Sequence, residues 1–369
     1  MSAVSLRYKR CWLSRRYCDR SAWMTSTRAA RAAGSTEAAT SECRHQIIAE
    51  NVPGEQQIAP SHGRSAPRRL EEVAIPPIVC RMIRRLLCTL ALAQPLAAQP
   101  ELTSARGLVH AVPGDLPIAI GYLNVAEDTW PLSEAIENAP KTTVASPTPV
   151  FQVRFAHGWI MVDAAMDREI AAARDDTSGF SDDRYARTVT ALRGAGLIVI
   201  THEHWDHIAT VAHSAVADEL APKTMLTRAQ MESLLHKPKM TLTPFDSTRA
   251  DRYIVVDYDR VLPIAPGVVL IKAPGHTPGS QVVYVKLASG REVILTGDVA
   301  WHRLGIETEK EKPDSASRHM NEDRAAIAGE LAWLHQAERN GVSVVVSHDG
   351  EQLETLARQG ILSEGLAAR

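Results

Sequence analysis

From residue 150 to residue 163 the chain alternates between apolar and polar positions. Phe151, Val153 and Phe155 fall on one face, and Gly158 interrupts the run before a second apolar stretch, Trp159-Ile160-Met161-Val162. A period of two with glycine at the break predicts a β-hairpin. The period then lengthens. Ser181-Asp182-Asp183 can cap a helix that runs to about residue 193, with Tyr185, Val189 and Leu192 on one face and Gly194 and Gly196 ending it. Residues 197–201, Leu-Ile-Val-Ile-Thr, are continuously apolar up to the threonine, the pattern of a strand buried on both faces. Further on, the pattern predicts helices over 208–220, 228–236 and 322–338. It predicts strands over 224–226, 268–271, 281–285, 292–295 and 342–346. Residues 99–145 carry turn signals at Pro113-Gly114-Asp115 and Ala139-Pro140-Lys141 and read as loop-rich. Mixed strands with helices between them predict an α/β fold of layered sheets sandwiched by helices.

The first 98 residues follow a different pattern. Residues 1–81 are rich in Arg, Ala and Ser and show no sustained period, so they read as an unfolded or wrongly assigned extension. At Met82 a short basic stretch (Arg84, Arg85) precedes an apolar run, Leu86 to Ala93, and then Pro95-Leu96-Ala97-Ala98. This is the layout of a secretory signal peptide over 82–98, with cleavage expected before Gln99 and export to a periplasmic or extracellular location. The apolar run is too short to span a bilayer, so no stable membrane insertion is expected.

Charge and cysteine content sharpen the division. Residues 1–81 carry 13 basic and 7 acidic side chains, whereas residues 99–369 have a net charge of −10. An acidic body argues against nucleic acid as a partner and leaves a small molecule as the expected one. Cys11, Cys18, Cys43, Cys80 and Cys88 all precede Gln99. The expected domain, 99–369, can therefore form no disulfide and offers no thiolate to a metal.

The chemistry concentrates at His202-Glu203-His204-Trp205-Asp206-His207, directly after the strand at 197–201. Imidazoles suit zinc, and a carboxylate suits a harder, water-activating position, so four donors in six residues predict a metal site. His276 in Gly275-His276-Thr277-Pro278-Gly279, Asp298 in Thr296-Gly297-Asp298 and His348 in Ser347-His348-Asp349 each follow an apolar strand. Side chains from separate strand ends can meet at one point. His213, His302 and His319 lie outside this pattern and read as surface or packing residues, with His302 near enough to Asp298 to line a pocket.

This order of residues, HxHxDH followed by His, Asp and His, resembles the metallo-β-lactamase superfamily over about residues 150–350. The resemblance implies an αββα four-layer sandwich with two zinc ions at a sheet edge. By position, His202, His204 and His276 would hold the first ion, and Asp206, His207 and His348 the second. Asp298 would bridge them, and Asp206 and Asp298 would take part in catalysis. Asp163 matches the Asp that ends an early strand in the family, and a role supporting the site from behind is expected of it. Two zinc ions sharing a water bring its pKa toward neutrality, so a hydrolase of this kind needs no Ser or Cys nucleophile.

Asp298 and the missing Cys distinguish this chain from zinc β-lactamases, which lack a bridging Asp and often use a Cys ligand. They point toward the glyoxalase II, lactonase and phosphodiesterase branches. The intervals of 69, 22 and 50 residues separating His207, His276, Asp298 and His348 resemble those of the N-acyl homoserine lactonase group. Those lactonases carry Tyr three residues after the bridging Asp, where this chain has Trp301. Indole has an N–H but no acidic hydroxyl. The expected activity is hydrolysis of an ester, lactone or thioester. β-Lactam hydrolysis, an iron-dependent persulfide dioxygenase-like reaction and a non-catalytic metal-binding role stand as alternatives.

Overall fold

In the computed structural model, which describes residues 100–173, 179–237, 241 and 243–368, the predicted hairpin forms and is extended by a third strand. Strands β1 (Ala119–Pro131), β2 (Thr143–Arg154) and β3 (Trp159–Val162) run antiparallel in succession. After the helix Asp182–Gly194, β4 (Leu197–Val199) lies parallel to β3. Strands β5 (Thr224–Thr227) and β6 (Ile254–Val256) continue the parallel part. A second sheet begins with β7 (Val261–Ala265), β8 (Val268–Lys272), β9 (Gln281–Lys286) and β10 (Glu292–Leu295), all antiparallel to their neighbours. Strand β11 (Ser343–Val345) adds parallel to β10, and β12 (Ser363–Glu364) returns to pair with β1. The sheet orders are β12-β1-β2-β3-β4-β5-β6 and β11-β10-β9-β8-β7.

The central strands of both sheets are apolar on both faces, which explains the unbroken hydrophobic runs in the sequence. Phe151 and Val153 of β2, Val199 of β4, Val268 and Leu270 of β8, and Val283 and Val285 of β9 pack together in the core between the sheets. The intervening residues turn outward. Val150, Met161 and Ile198 pack with Leu192 and Ile208 of helices on the first sheet. Val269, Ile271, Val282 and Ile294 pack with Ile327, Leu331 and Leu334 of a helix on the second. Helix, sheet, sheet and helix form the four expected layers. Among the described residues, no helix is long and apolar enough to cross a membrane.

Three local expectations change. The segment read as loop-rich contains a helix, Pro100–Gly107, and the long strand β1. The far end of β1 is polar (Glu127, Asp128, Thr129) and its register shifts between Asn124 and Ala126, so no clean alternation marks it. The helix expected over 208–220 is two, Trp205–Ala212 and Ala217–Leu220. Ser214 Oγ donates to Thr210 O at 2.6 Å and accepts from Val216 N, offering the backbone an alternative to continuing the helix. The helix expected from 322 starts at Arg324, because the Asp323 side chain caps it by accepting from Ala326 N. Glu322 is left outside. Residues 1–81 and the expected signal segment 82–98 lie outside the described residues.

Candidate metal centre

The parallel β3 and β4 and the C-terminal ends of β8, β10 and β11 bring the chemically competent residues to one edge of the sandwich. Past β4, His202 and His204 lie in the loop, and His204 occupies the N-cap of the helix Trp205–Ala212 with extended backbone. Asp206 and His207 stand in that helix's first turn. The positive end of the helix favours a carboxylate there. His276 follows β8, Asp298 follows β10 and His348 follows β11. Gly297 makes the approach of Asp298 possible. Its φ is +54°, and a Cβ at this position would stand 2.8 Å from Thr201 Oγ1.

All seven predicted donors come together. Their donor atoms form three overlapping groups: His202, His204 and His276; His202, His207 and Asp298; and Asp206, His207 and His348, each within 4.8 Å. His204 Nδ1 lies 3.0 Å from His276 Nε2, and His207 Nε2 lies 3.3 Å from His348 Nε2. Asp298 stands between the two ends. Its Oδ2 is 3.8 Å from His202 Nε2 and 3.7 Å from His276 Nε2. Its Oδ1 is 3.1 Å from both His207 Nε2 and His348 Nε2. Asp206 Oδ2 lies 3.6 Å from His348 Nε2 and is the most accessible of the set, at 16%.

Two features test whether this set suits metal ions. His202 Nε2 is buried without a hydrogen-bond partner, which carries a desolvation cost unless something else satisfies it. The imidazole nitrogens of His204 and His276 point at each other within the same group, an arrangement that a cation stabilises. The residues present therefore fit a pair of divalent cations, with nitrogen-rich coordination at one end and mixed nitrogen–oxygen coordination at the other.

The electrostatics divide along the same line. Burial, helped by His207 and His276, holds His202 well below the ordinary imidazole pKa, and burial with His276 does the same for His204. Both present neutral nitrogens. Burial opposes charge on His207 too, but Asp298, Asp206 and Asp163 outweigh it and raise its pKa well above the ordinary value. His348 is raised in the same way, by Asp298 and Asp206 against burial. Burial disfavours charge on Asp298, yet His348, His207 and His202 hold its carboxyl well below the usual range. Without metal, the second group thus holds protons on its imidazoles more readily than ordinary histidines do, and a metal must displace them.

Behind the donors, other residues fix the rings. Asp163, fully buried and with φ +63°, accepts from Thr201 N at 2.7 Å and Thr201 Oγ1 at 2.9 Å. Its Oδ2 also lies 2.8 Å from His207 Nδ1, so that His207 turns Nε2 toward the site. His348 Nδ1 lies 2.8 Å from Pro147 O, and His276 Nδ1 lies 2.6 Å from Glu322 Oε1. Glu322 in turn pairs with Lys312, and neither residue shows a local sequence signal. Trp301 donates its indole N–H to Asp298 Oδ2 at 2.7 Å, a contact the sequence does not specify. Trp130, at the end of β1, stands 5.4 Å from the Trp301 ring and 6.0 Å from the His348 ring. His213 and His302 do not join the donors. His213 Nδ1 lies 2.8 Å from Asp167, and His302 accepts from Leu304 N as a helix cap.

Comparison with known proteins agrees with this geometry. The family model of the metallo-beta-lactamase superfamily matches residues 146–346. An N-acyl homoserine lactonase of Bacillus thuringiensis is 28% identical over 112 residues, which cover 30% of this chain and 41% of that protein. The same holds for the lactonase of its subspecies kurstaki. The chain thus matches about two fifths of the length of these relatives. A solved N-acyl homoserine lactone hydrolase, with the product N-hexanoyl-L-homoserine at its catalytic metal centre, superposes with a TM-score of 0.51 at 15% identity, covering 65% of this chain and 96% of that one. A probable metal-dependent hydrolase from Staphylococcus aureus gives 0.51 at 14% identity, covering 64% and 91%. These structural likenesses speak to the fold. With the family model matching more than half of the chain and the four-layer fold in place, this chain belongs to the metallo-beta-lactamase superfamily.

Proposed function

We propose that this chain is a dizinc hydrolase acting on a carboxylic ester or lactone, with thioesters as close chemical variants. The observation that carries this reading is Asp298, whose two oxygens face the two histidine groups. His202, His204 and His276 would hold one zinc ion; Asp206, His207 and His348 would hold the other; Asp298 would be shared. Bound there, the pair of cations supplies a water ionised near neutral pH and polarises the scissile carbonyl. The protein's own part is to keep His202 and His204 neutral, to turn His207 through Asp163, and to hold Asp298 through Trp301. Trp130 and Trp301 give the site an aromatic side, which favours a small substrate with an apolar acyl portion.

The test is turnover by zinc-loaded protein of acylated γ-lactones and p-nitrophenyl esters, with a β-lactam as control. Hydrolysis of lactones or esters and not of the β-lactam is the expected outcome. Two bound ions with no turnover of any substrate would sink the reading. Activity is expected to fall as pH drops. The raised pKa values of His207 and His348 keep protons on the second donor group to a higher pH than ordinary imidazoles would, and those protons compete with metal. Trp301→Tyr is the companion test of substrate class. A rise in lactone relative to ester turnover favours a lactone substrate, and an equal fall in both assigns Trp301 only to holding Asp298.

The basic and apolar segments at 82–98 support the further proposal that the chain is exported. N-terminal sequencing of the native protein is expected to begin near Gln99. A native cytoplasmic protein that retains residues 82–98 contradicts it.

A further inference from the structure

Lys312 lies in the short connection between the helices Arg303–Glu307 and Asp314–Met320, in the charged run Lys310-Glu311-Lys312-Pro313-Asp314. In the fold it is 1% exposed. Its ammonium group has three N–H donors, and three acceptors surround it: Asp298 O at 2.8 Å, Val299 O at 3.2 Å and Glu322 Oε1 at 2.7 Å. The nitrogen also stands 5.1 Å over the Trp301 ring. The side chain of Glu322 is equally buried, and the same Oε1 that takes Lys312 lies 2.6 Å from His276 Nδ1. Burial works against a charged Glu322, but Lys312 and His276 hold its carboxyl well below the usual range.

An ion pair buried this deeply loses the hydration of both ions, and apolar side chains of similar volume commonly serve stability as well or better. Stability alone is therefore a weak reason for its position. The pair touches two of the seven donors from behind. Glu322 fixes His276 so that Nε2 turns into the site, and Lys312 grips the backbone of Asp298 while neutralising Glu322. We propose that Glu322 and Lys312 are positioning residues of the metal centre, one buried ion pair that aims His276 at the first ion and fixes the strand-end backbone carrying the shared Asp298. This rests on the two-metal reading above.

The test compares wild type, Glu322→Gln and the double variant Lys312→Met/Glu322→Gln. Each is titrated with zinc against a chromophoric chelator and with cobalt(II), whose visible absorption reports ligand geometry. The wild type is expected to bind two ions. Both variants are expected to bind the first ion, that of His202, His204 and His276, about 10- to 100-fold more weakly. The second ion is expected to keep near wild-type affinity in Glu322→Gln, where Lys312 still holds Asp298 O, and to weaken less than the first in the double variant; the first-site cobalt absorption is expected to change in both. The double variant leaves no unpaired charge, so its metal-free form is expected to melt close to wild type. If Glu322→Gln does not fold, the double variant decides alone. Two ions at wild-type affinity in the variants, or equal weakening at both sites in step with a lower Tm, overturns the inference and leaves the two-metal reading standing. A wild type that binds fewer than two ions overturns both.

Discussion

Asp298→Asn is expected to lower kcat of the metal-loaded protein on the order of 10²-fold or more, the scale of losing a principal electrostatic stabiliser. The substitution keeps the size of the side chain and removes one negative charge. That charge matters at two points. Oδ1 faces His207 and His348 at 3.1 Å each, and Oδ2 faces His202 and His276 and accepts the Trp301 N–H. An amide can present its oxygen to one group of donors only. It must present its NH2 to the other, where a second donor is repelled by a cation. The anion that offsets two dications is lost, so metal content is expected to fall together with kcat, with the larger loss at the end to which the NH2 turns. The measurements are steady-state kinetics and metal analysis of the same preparation. Near wild-type hydrolysis with both ions retained would falsify the shared-ligand assignment.

At Asp163 the largest expected effect is on stability. Asp163→Ala removes the acceptor of Thr201 N, Thr201 Oγ1 and the His207 ring at once, in a position whose side chain is 1% exposed. Breaking a buried, hydrogen-bonded charge pair costs about 3–5 kcal/mol. The φ of +63° adds to this, because alanine tolerates the left-handed region less well than aspartate does. Denaturant unfolding of the metal-free protein is expected to show a loss of that size. Asp163→Asn separates stability from metal binding. Its oxygen can still accept from Thr201 N, so the fold is expected to survive with a smaller loss. Its NH2 then faces His207 Nδ1, which must accept rather than donate, and the ring proton moves to Nε2, the atom that faces Asp298 and His348. Metal binding at the second group is expected to weaken about 10- to 100-fold. Wild-type unfolding free energy in Asp163→Ala would show that the network is not what holds this corner.

How far the fold is legible in the sequence depends on how locally each element is specified. Residues 268–271, 282–285 and 293–295 are apolar on both faces because each strand is packed between the opposite sheet and a helix layer, so the runs are visible without knowing the partner strands. The helix Asp182–Gly194 carries its own start signal in Ser181, which accepts from Arg184 N. Strand β1 carries no such signal. Its polar end is made a strand by pairing with β2 and by the backbone of 179–181, contacts made only in the folded chain. The break at 213–216 depends on side chains that satisfy backbone groups of the preceding turn.

The same distinction runs through the site. His202, His204, Asp206 and His207 crowd into six residues after a buried strand, and His276, Asp298 and His348 each follow another, so the sequence alone determined which groups face the site's edge. It also determined that the domain brings no thiolate. Which nitrogen each ring presents, where the Trp301 N–H goes, and that Lys312 is buried against Glu322 were decided by the tertiary structure alone. The reason is physical. A strand or a clustered motif is specified by neighbours in the chain, whereas a hydrogen bond between residues tens of positions apart exists only once two sheets have brought those segments together, and the favourable energy that justifies burying a lysine is available at that point and not before.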